Sequence, residues 1–86
     1  MVIIRVELPN PSGLHARPAS KLCAIAKKHK SECLLLSENA TVDIKKILDL
    51  MAANFRQGTC LEIRCSGPDE HEAAEKIREF ISELDE

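Results

Sequence analysis

Asn10-Pro11-Ser12-Gly13-Leu14-His15-Ala16-Arg17-Pro18 brings an imidazole, a guanidinium and a hydroxyl together around two chain breakers, Pro11 and Gly13. Helical periodicity starts at Ala16, which sets His15 at or next to the first residue of a helix. Pro18 suits that place, because first-turn N–H groups have no intrahelical partner. Those orphan donors and the positive end of the helix dipole form an anion site. His15 offers a nucleophilic ring there, Arg17 a planar fork for phosphate oxygens, and Ser12 a nearby hydroxyl. No carboxylate stands between Glu7 and Glu32 to repel an anion. Two chemistries fit: a histidine that merely ends a loop and caps a helix, or one that carries a phosphoryl group.

The elements that must position this segment are legible from periodicity. Val2 to Leu8 closes in alternation, with Val6 and Leu8 opposite Arg5 and Glu7, and Pro9 stops the strand. From Ala16 to Lys28, the apolar stripe Ala19, Leu22, Cys23 and Ala26 predicts an amphipathic helix. Lys27, Lys28, His29 and Lys30 follow at its C-terminal end, where the dipole favours cations, and His29 needs no other role. Glu32–Ser37 and Thr41–Asp43 read as a hairpin about a turn at 38–40, and Ile44 to Asn54 as a short helix. Cys60–Cys65 alternates as a strand that ends at Gly67-Pro68. Asp69 with Glu72 predicts a capping-box-like start to a last helix whose stripe is Ala73, Ile77, Phe80, Ile81 and Leu84. His71, in its first turn, is expected to be exposed and incidental. The order is βαββαβα: an α+β fold, a four-stranded antiparallel sheet with three helices on one face.

Composition limits the function. Residues 1–86 are expected to form one domain with an aliphatic core, since Phe55 and Phe80 are the only aromatics. No apolar run is long enough to span a membrane and no basic-then-apolar leader opens the chain, so a cytoplasmic, non-inserted protein is expected. Cys23, Cys33, Cys60 and Cys65 form no C-x-x-C pair. They are expected as buried small hydrophobes, with a structural zinc site the distant alternative. The net charge of −2 conceals an asymmetry: residues 1–30 are basic, while residues 69–86 carry eight acids against Lys76 and Arg78. A basic end around His15 would steer acidic or phosphorylated partners toward it; two ordinary solvated faces are the alternative. Negative total charge and the lack of an aromatic platform argue against nucleic acid.

Residues 10–18 closely resemble the active-site segment of HPr, the histidine-containing phosphocarrier of the phosphoenolpyruvate-dependent sugar phosphotransferase system. The likeness runs the length of the chain and includes Gly67-Pro68-Asp69-Glu70, which resembles the family's turn into its last helix. The resemblance implies an open-faced β-sandwich with His15 phosphorylated at Nδ1. Arg17, with Ser12 and the N–H groups of Ala16 and Arg17, would hold the phosphate. It implies enzyme I as donor and a histidine of an enzyme IIA as acceptor. Both would dock on Ala16, Ser20, Ile47, Leu48 and Met51, with Lys27 as a basic edge. At least one of the three apolar residues on so short a helix should be exposed. No metal, cofactor or autonomous catalysis is expected, and the chain has no G-x-x-x-x-G-K loop; a monomer is. One departure stands out. Lys46 occupies the place of a regulatory serine common in the family, and Asp49 that of a common glycine. Serine phosphorylation at that position is therefore not expected. A nitrogen-related relay or a partner-binding regulatory module competes with sugar uptake.

Overall fold

The computed structural model describes residues 1–85. Four strands and three helices follow one another as β1 (Val2–Glu7), α1 (Ala16–Lys27), β2 (Glu32–Leu36), β3 (Thr41–Asp43), α2 (Ile47–Ala52), β4 (Cys60–Ser66) and α3 (Glu70–Ser82). The strands form one antiparallel sheet in the order β1-β4-β2-β3. Period-two alternation sends Leu61, Ile63 and Cys65 of β4 and Cys33 and Leu35 of β2 into the core. Arg5 pairs with Glu62 across the opposite face at 3.5 Å, Arg64 joins the same carboxylate, and Ile3 is 51% exposed there. One face of the sheet is therefore covered and the other open, as expected.

The stripe predicted for α1 is the stripe buried: Ala19, Leu22, Cys23 and Ala26, together with Pro18. On α3, Ala73, Ala74, Ile77 and Ile81 are buried, while Phe80 and Leu84 pack at the margin. Each fully buried Leu or Ile contributes about 1.5–3 kcal/mol of transfer free energy, so aliphatic packing supplies the core without large aromatics. Phe55 is the one buried aromatic side chain among the described residues.

Three expectations need correction. Cys60 is exposed, because strand parity sets it beside Glu62 and opposite Leu61 and Ile63. Cys23, Cys33 and Cys65 are buried; Cys33 and Cys65 are cross-strand partners, and the Cys33 thiol donates to the Ser31 carbonyl at 3.5 Å. The capping box does not form. Asp69 does occupy the N-cap position of α3, but its side chain caps nothing there. Its carboxylate instead accepts the N–H groups of Lys30 (3.0 Å) and Ser31 (2.9 Å) and the Ser31 hydroxyl. Three donors from the α1–β2 turn outcompete the helix's own N–H groups. Glu70 accepts from the Gly67 N–H at 3.1 Å, and Glu72 turns toward His29. Last, His29 is more than a charge at a helix end: its side chain is only 8% exposed, with Nδ1 against the Ile25 carbonyl at 3.0 Å and Nε2 facing Glu72 at 3.3 Å.

The oppositely charged segments are neighbours rather than separate poles. α1 packs on α3, and Lys21 lines a shallow groove with Glu83 and Asp85.

Two close backbone approaches fix the turns. Gly67, at φ 149°, lies where a Cβ would stand 2.7 Å from the Ser31 Cα, so the Ser31–Asp69 knot closes only over glycine. Gly13, at φ 66°, lies against the segment after α2, where a Cβ would stand 2.4 Å from the Phe55 carbonyl oxygen. Gly13→Ala should cost about 2–4 kcal/mol from left-handed strain and this clash, lowering Tm by at least about 10 °C. The Ser31 hydroxyl and the Lys30 and Ser31 N–H groups hold the Asp69 carboxyl at about 2, below its ordinary value. A depressed carboxyl stabilises the fold fully above its unfolded pKa, near 4, and loses that contribution as pH falls toward 2. The difference in urea midpoint between the parent chain and Asp69→Asn, measured in metal-free buffer, should be constant from pH 7 to 5 and shrink between pH 4 and 2.

Candidate functional site

The site is a backbone construction before it is a set of side chains. Asn10 is buried and donates through Nδ2 to the Gly13 carbonyl at 2.7 Å, while the Gly13 N–H donates to the Asn10 carbonyl at 3.1 Å. Leu14 anchors the loop from the other side: its side chain is buried and its N–H donates to the Phe55 carbonyl at 3.0 Å. Gln57 Nε2 reaches the Pro9 carbonyl at 3.0 Å, and the Gly58 N–H donates to the Leu8 carbonyl at 2.8 Å. Residues 8–14 are thereby held along residues 55–59, and the main chain enters His15 in a fixed direction.

His15 is the N-cap of α1, with φ −80° and ψ −171°; its carbonyl accepts the Ala19 N–H at 2.9 Å while its side chain makes no cap hydrogen bond. The ring is thus exposed and unspent as a cap, which removes the support for a mere capping role. Helical geometry leaves the Ala16 and Arg17 N–H groups without intrahelical partners, and Pro18, the third helical residue, has none to offer. Two donors and the positive end of a 12-residue helix face the space beside the ring. No acidic residue lies in the first turn. Ser12, Ala16 and Arg17 are all exposed. Such an arrangement can present a nucleophilic nitrogen and stabilise a dianion attached to it.

The residues expected to dock partners divide by depth. Ser20, Lys27 and Ile47 line one shallow depression of about 260 Å³ between α1 and α2, with Cys23 and Ala24. On α2, Leu50 takes the fully buried position, Ile47 is half-buried, and Leu48 and Met51 are 77% and 41% exposed. Six residues of helix have one core-facing edge, so two large apolar side chains remain in solvent. Lys46 is the N-cap of α2 and makes no side-chain cap; Asp43 accepts the Lys45 N–H at 2.9 Å and so closes the turn before the helix instead.

Two participants escaped sequence reading. Asn10 is a positioning residue, and the turn-forming run Asn10-Pro11-Ser12-Gly13 was the available signal. Arg56 puts a second exposed guanidinium on the segment that abuts Gly13. Nothing in the sequence pairs positions so far apart.

Comparison with known proteins agrees with this geometry. The family model described as "PTS HPr component phosphorylation site" matches residues 3–83. The phosphocarrier protein HPr of Mycoplasma pneumoniae is 38% identical over 79 residues, 91% of this chain and 90% of that protein. Among solved structures, HPr-C-His from Thermoanaerobacter tengcongensis superposes with a TM-score of 0.90 at 32% identity, covering 95% of this chain and 92% of that one. Crh, the Bacillus subtilis catabolite repression protein solved as a swapped dimer, gives a TM-score of 0.77 at 32% identity, covering 100% of this chain and 99% of that one. With the sheet order, the exposed histidine at the start of α1 and these likenesses in agreement, the chain belongs to the HPr family of phosphocarriers of the phosphotransferase system.

Proposed function

We propose that this protein shuttles a phosphoryl group on His15, taking it from the phosphohistidine of enzyme I and passing it to a histidine of an enzyme IIA in the cytoplasm. The carrying observation is the exposed, uncapped His15 ring on an immobilised backbone at a helix N-terminus free of acids. In the first transfer the donor's P–N bond breaks as a P–N bond forms to His15 Nδ1; in the second, the His15 bond breaks as the acceptor's forms. Each step needs in-line access and charge stabilisation more than covalent help from the carrier. An exposed ring gives two successive enzymes the same line of approach. The Ala16 and Arg17 N–H groups, the Arg17 guanidinium and the Ser12 hydroxyl receive the phosphoryl oxygens, and the dipole adds about 0.3–1 kcal/mol.

Leu48 and Met51, together with Ala16, Ser20, Lys27 and Ile47, form the docking surface, because exposed large apolar side chains beside an exposed site gain by being covered. Lys46 removes the hydroxyl that a serine kinase would modify and adds a cation at the edge of this surface. The carrier therefore acts without that switch. A second reading is a regulatory module that binds partners without phosphoryl flux; the likeness to Crh, a catabolite repression protein, is in keeping with a regulatory role. A nitrogen-related relay differs from sugar uptake only in which enzyme IIA accepts the phosphoryl group.

The protein incubated with enzyme I, Mg²⁺ and phosphoenolpyruvate should gain one acid-labile phosphoryl group by intact mass, and His15→Ala none. No gain with a competent enzyme I of the same host would select the module. Arg17→Lys keeps the charge and loses the fork, so transfer should slow about 10-fold, the worth of one charge-assisted hydrogen bond of about 1.5 kcal/mol. Leu48→Asp should raise the apparent KM for enzyme I or enzyme IIA by roughly 5–30-fold. Its unfolding free energy from urea titration should stay within about 0.5 kcal/mol of the parent, since the side chain touches water rather than core.

A further inference from the structure

We propose that His29, Asp69 and Glu72 form a divalent-cation site, of the zinc type, that clasps the C-terminal end of α1 to the first turn of α3. His29 follows the C-cap of α1, and its ring Nδ1 lies 3.0 Å from the Ile25 carbonyl oxygen. A carbonyl only accepts, so Nδ1 carries a proton and donates it. In the neutral ring Nε2 then bears a lone pair, and the side chain is 8% exposed, leaving that nitrogen little access to water. What it faces is the Glu72 Oε2, at 3.3 Å, and one oxygen of Asp69. The three ligand atoms all lie within 4.8 Å of one another.

Two carboxylate oxygens gathered at the lone pair of a nearly buried imidazole call for a positive charge between them, either a proton on Nε2 or a metal ion. The donor set fits the metal, with the exposed carboxylate closing in from separations of up to 4.8 Å. A charge-assisted N–H···O bond closes to about 2.7–2.9 Å. For bonds of about 2.0 Å to zinc, neighbouring ligands of a tetrahedron stand roughly 3.3 Å apart, which is the separation of His29 and Glu72. The outer contacts are those of a ligand set. The Ile25 carbonyl fixes the tautomer and aim of His29, and the Lys30 and Ser31 N–H groups with the Ser31 hydroxyl orient Asp69. Lys45 Nζ holds the His29 carbonyl at 2.9 Å, on the main-chain side of the residue. Glu72 is 67% exposed and free to swing inward, and water would complete the coordination. One imidazole and two carboxylates neutralise a divalent ion. The nitrogen donor selects zinc over magnesium or calcium, which prefer all-oxygen shells.

The test is a titration of the metal-free protein with Zn²⁺, in a Cys60→Ser background that removes the exposed thiol. It is followed by calorimetry and by long-range ¹H–¹⁵N spectra of the three imidazoles. One Zn²⁺ per chain is expected, with a Kd of about 1–10 µM, so that 100 µM metal raises Tm by roughly 5–20 °C. The His29 Nε2 resonance should move to the ligated range while Nδ1 keeps its proton, and Mg²⁺ should move neither. Glu72→Gln should change Tm in chelator by no more than several degrees, the worth of one first-turn carboxylate, and weaken zinc at least 10-fold. A His29 ring protonated on both nitrogens and indifferent to excess Zn²⁺ would overturn the proposal. So would zinc taken up at His15 or His71 with His29 unmoved, or undiminished affinity in Glu72→Gln.

Discussion

The main chain of Gly13 lies so close to the Phe55 carbonyl that no side chain fits between them. The rest of the site depends on that contact. It lets residues 8–14 run alongside residues 55–59, with the Leu14 N–H spent on Phe55 and the Asn10 amide on Gly13. A group carrier has opposed requirements: the reacting atom must be open to two large partners, yet held in one place. Here the conflict is resolved by separating the tasks. The segment before His15 is anchored by buried Leu8, Asn10, Gly13 and Leu14 and by its backbone hydrogen bonds, while His15 itself is left in solvent.

The same helix serves opposite electrostatic ends. At the start of α1, orphan N–H groups and absent acids suit an anion. At its far end, the Ile25 carbonyl takes the His29 N–H and aims the other ring nitrogen at two carboxylates from α3, an environment that suits a cation. The acids of α3 also answer the cations of α1 along the flank near Lys21. Part of the charge asymmetry between the two ends of the sequence is therefore met within the molecule, where the N-terminal amine reaches Glu70 and His29 faces Glu72. What remains to steer partners is local to the first turn of α1, and to Lys27 and Lys46 on the docking side.

Packing explains how so small a chain manages this. Ala73 and Ala74 on α3, Ala19 and Ala26 on α1, and Cys33 and Cys65 in the sheet are small and fully or nearly fully buried, which allows helices and strands to approach closely. α2 is the exception. With one buried leucine and two exposed apolar side chains, it is the element least concerned with the core and most available for contact.

Periodicity and chain breakers determined the element order, the faces of β1, β4, α1 and α3, and a histidine at the head of a helix; that this histidine is exposed came from the tertiary structure. They could do so because each of those features rests on local spacing: two residues per strand turn-over, 3.6 per helical turn, and a first helical turn with donors to spare. Tertiary structure alone decided what distant residues do to one another. Asp69 has the sequence of a capping residue, yet three donors from residues 30 and 31 claim its carboxylate. His29 resembles a surface cation, yet packing of α3 against the end of α1 nearly buries it and turns Glu72 toward it. Cys60 sits in an apolar run, yet strand parity leaves it in water. Arg56 is brought beside the site by the contact of Gly13 with Phe55 and Arg56, which lie some forty residues further along the chain. Hydrogen-bond competition and burial depend on which groups meet in space, and no local pattern encodes that meeting.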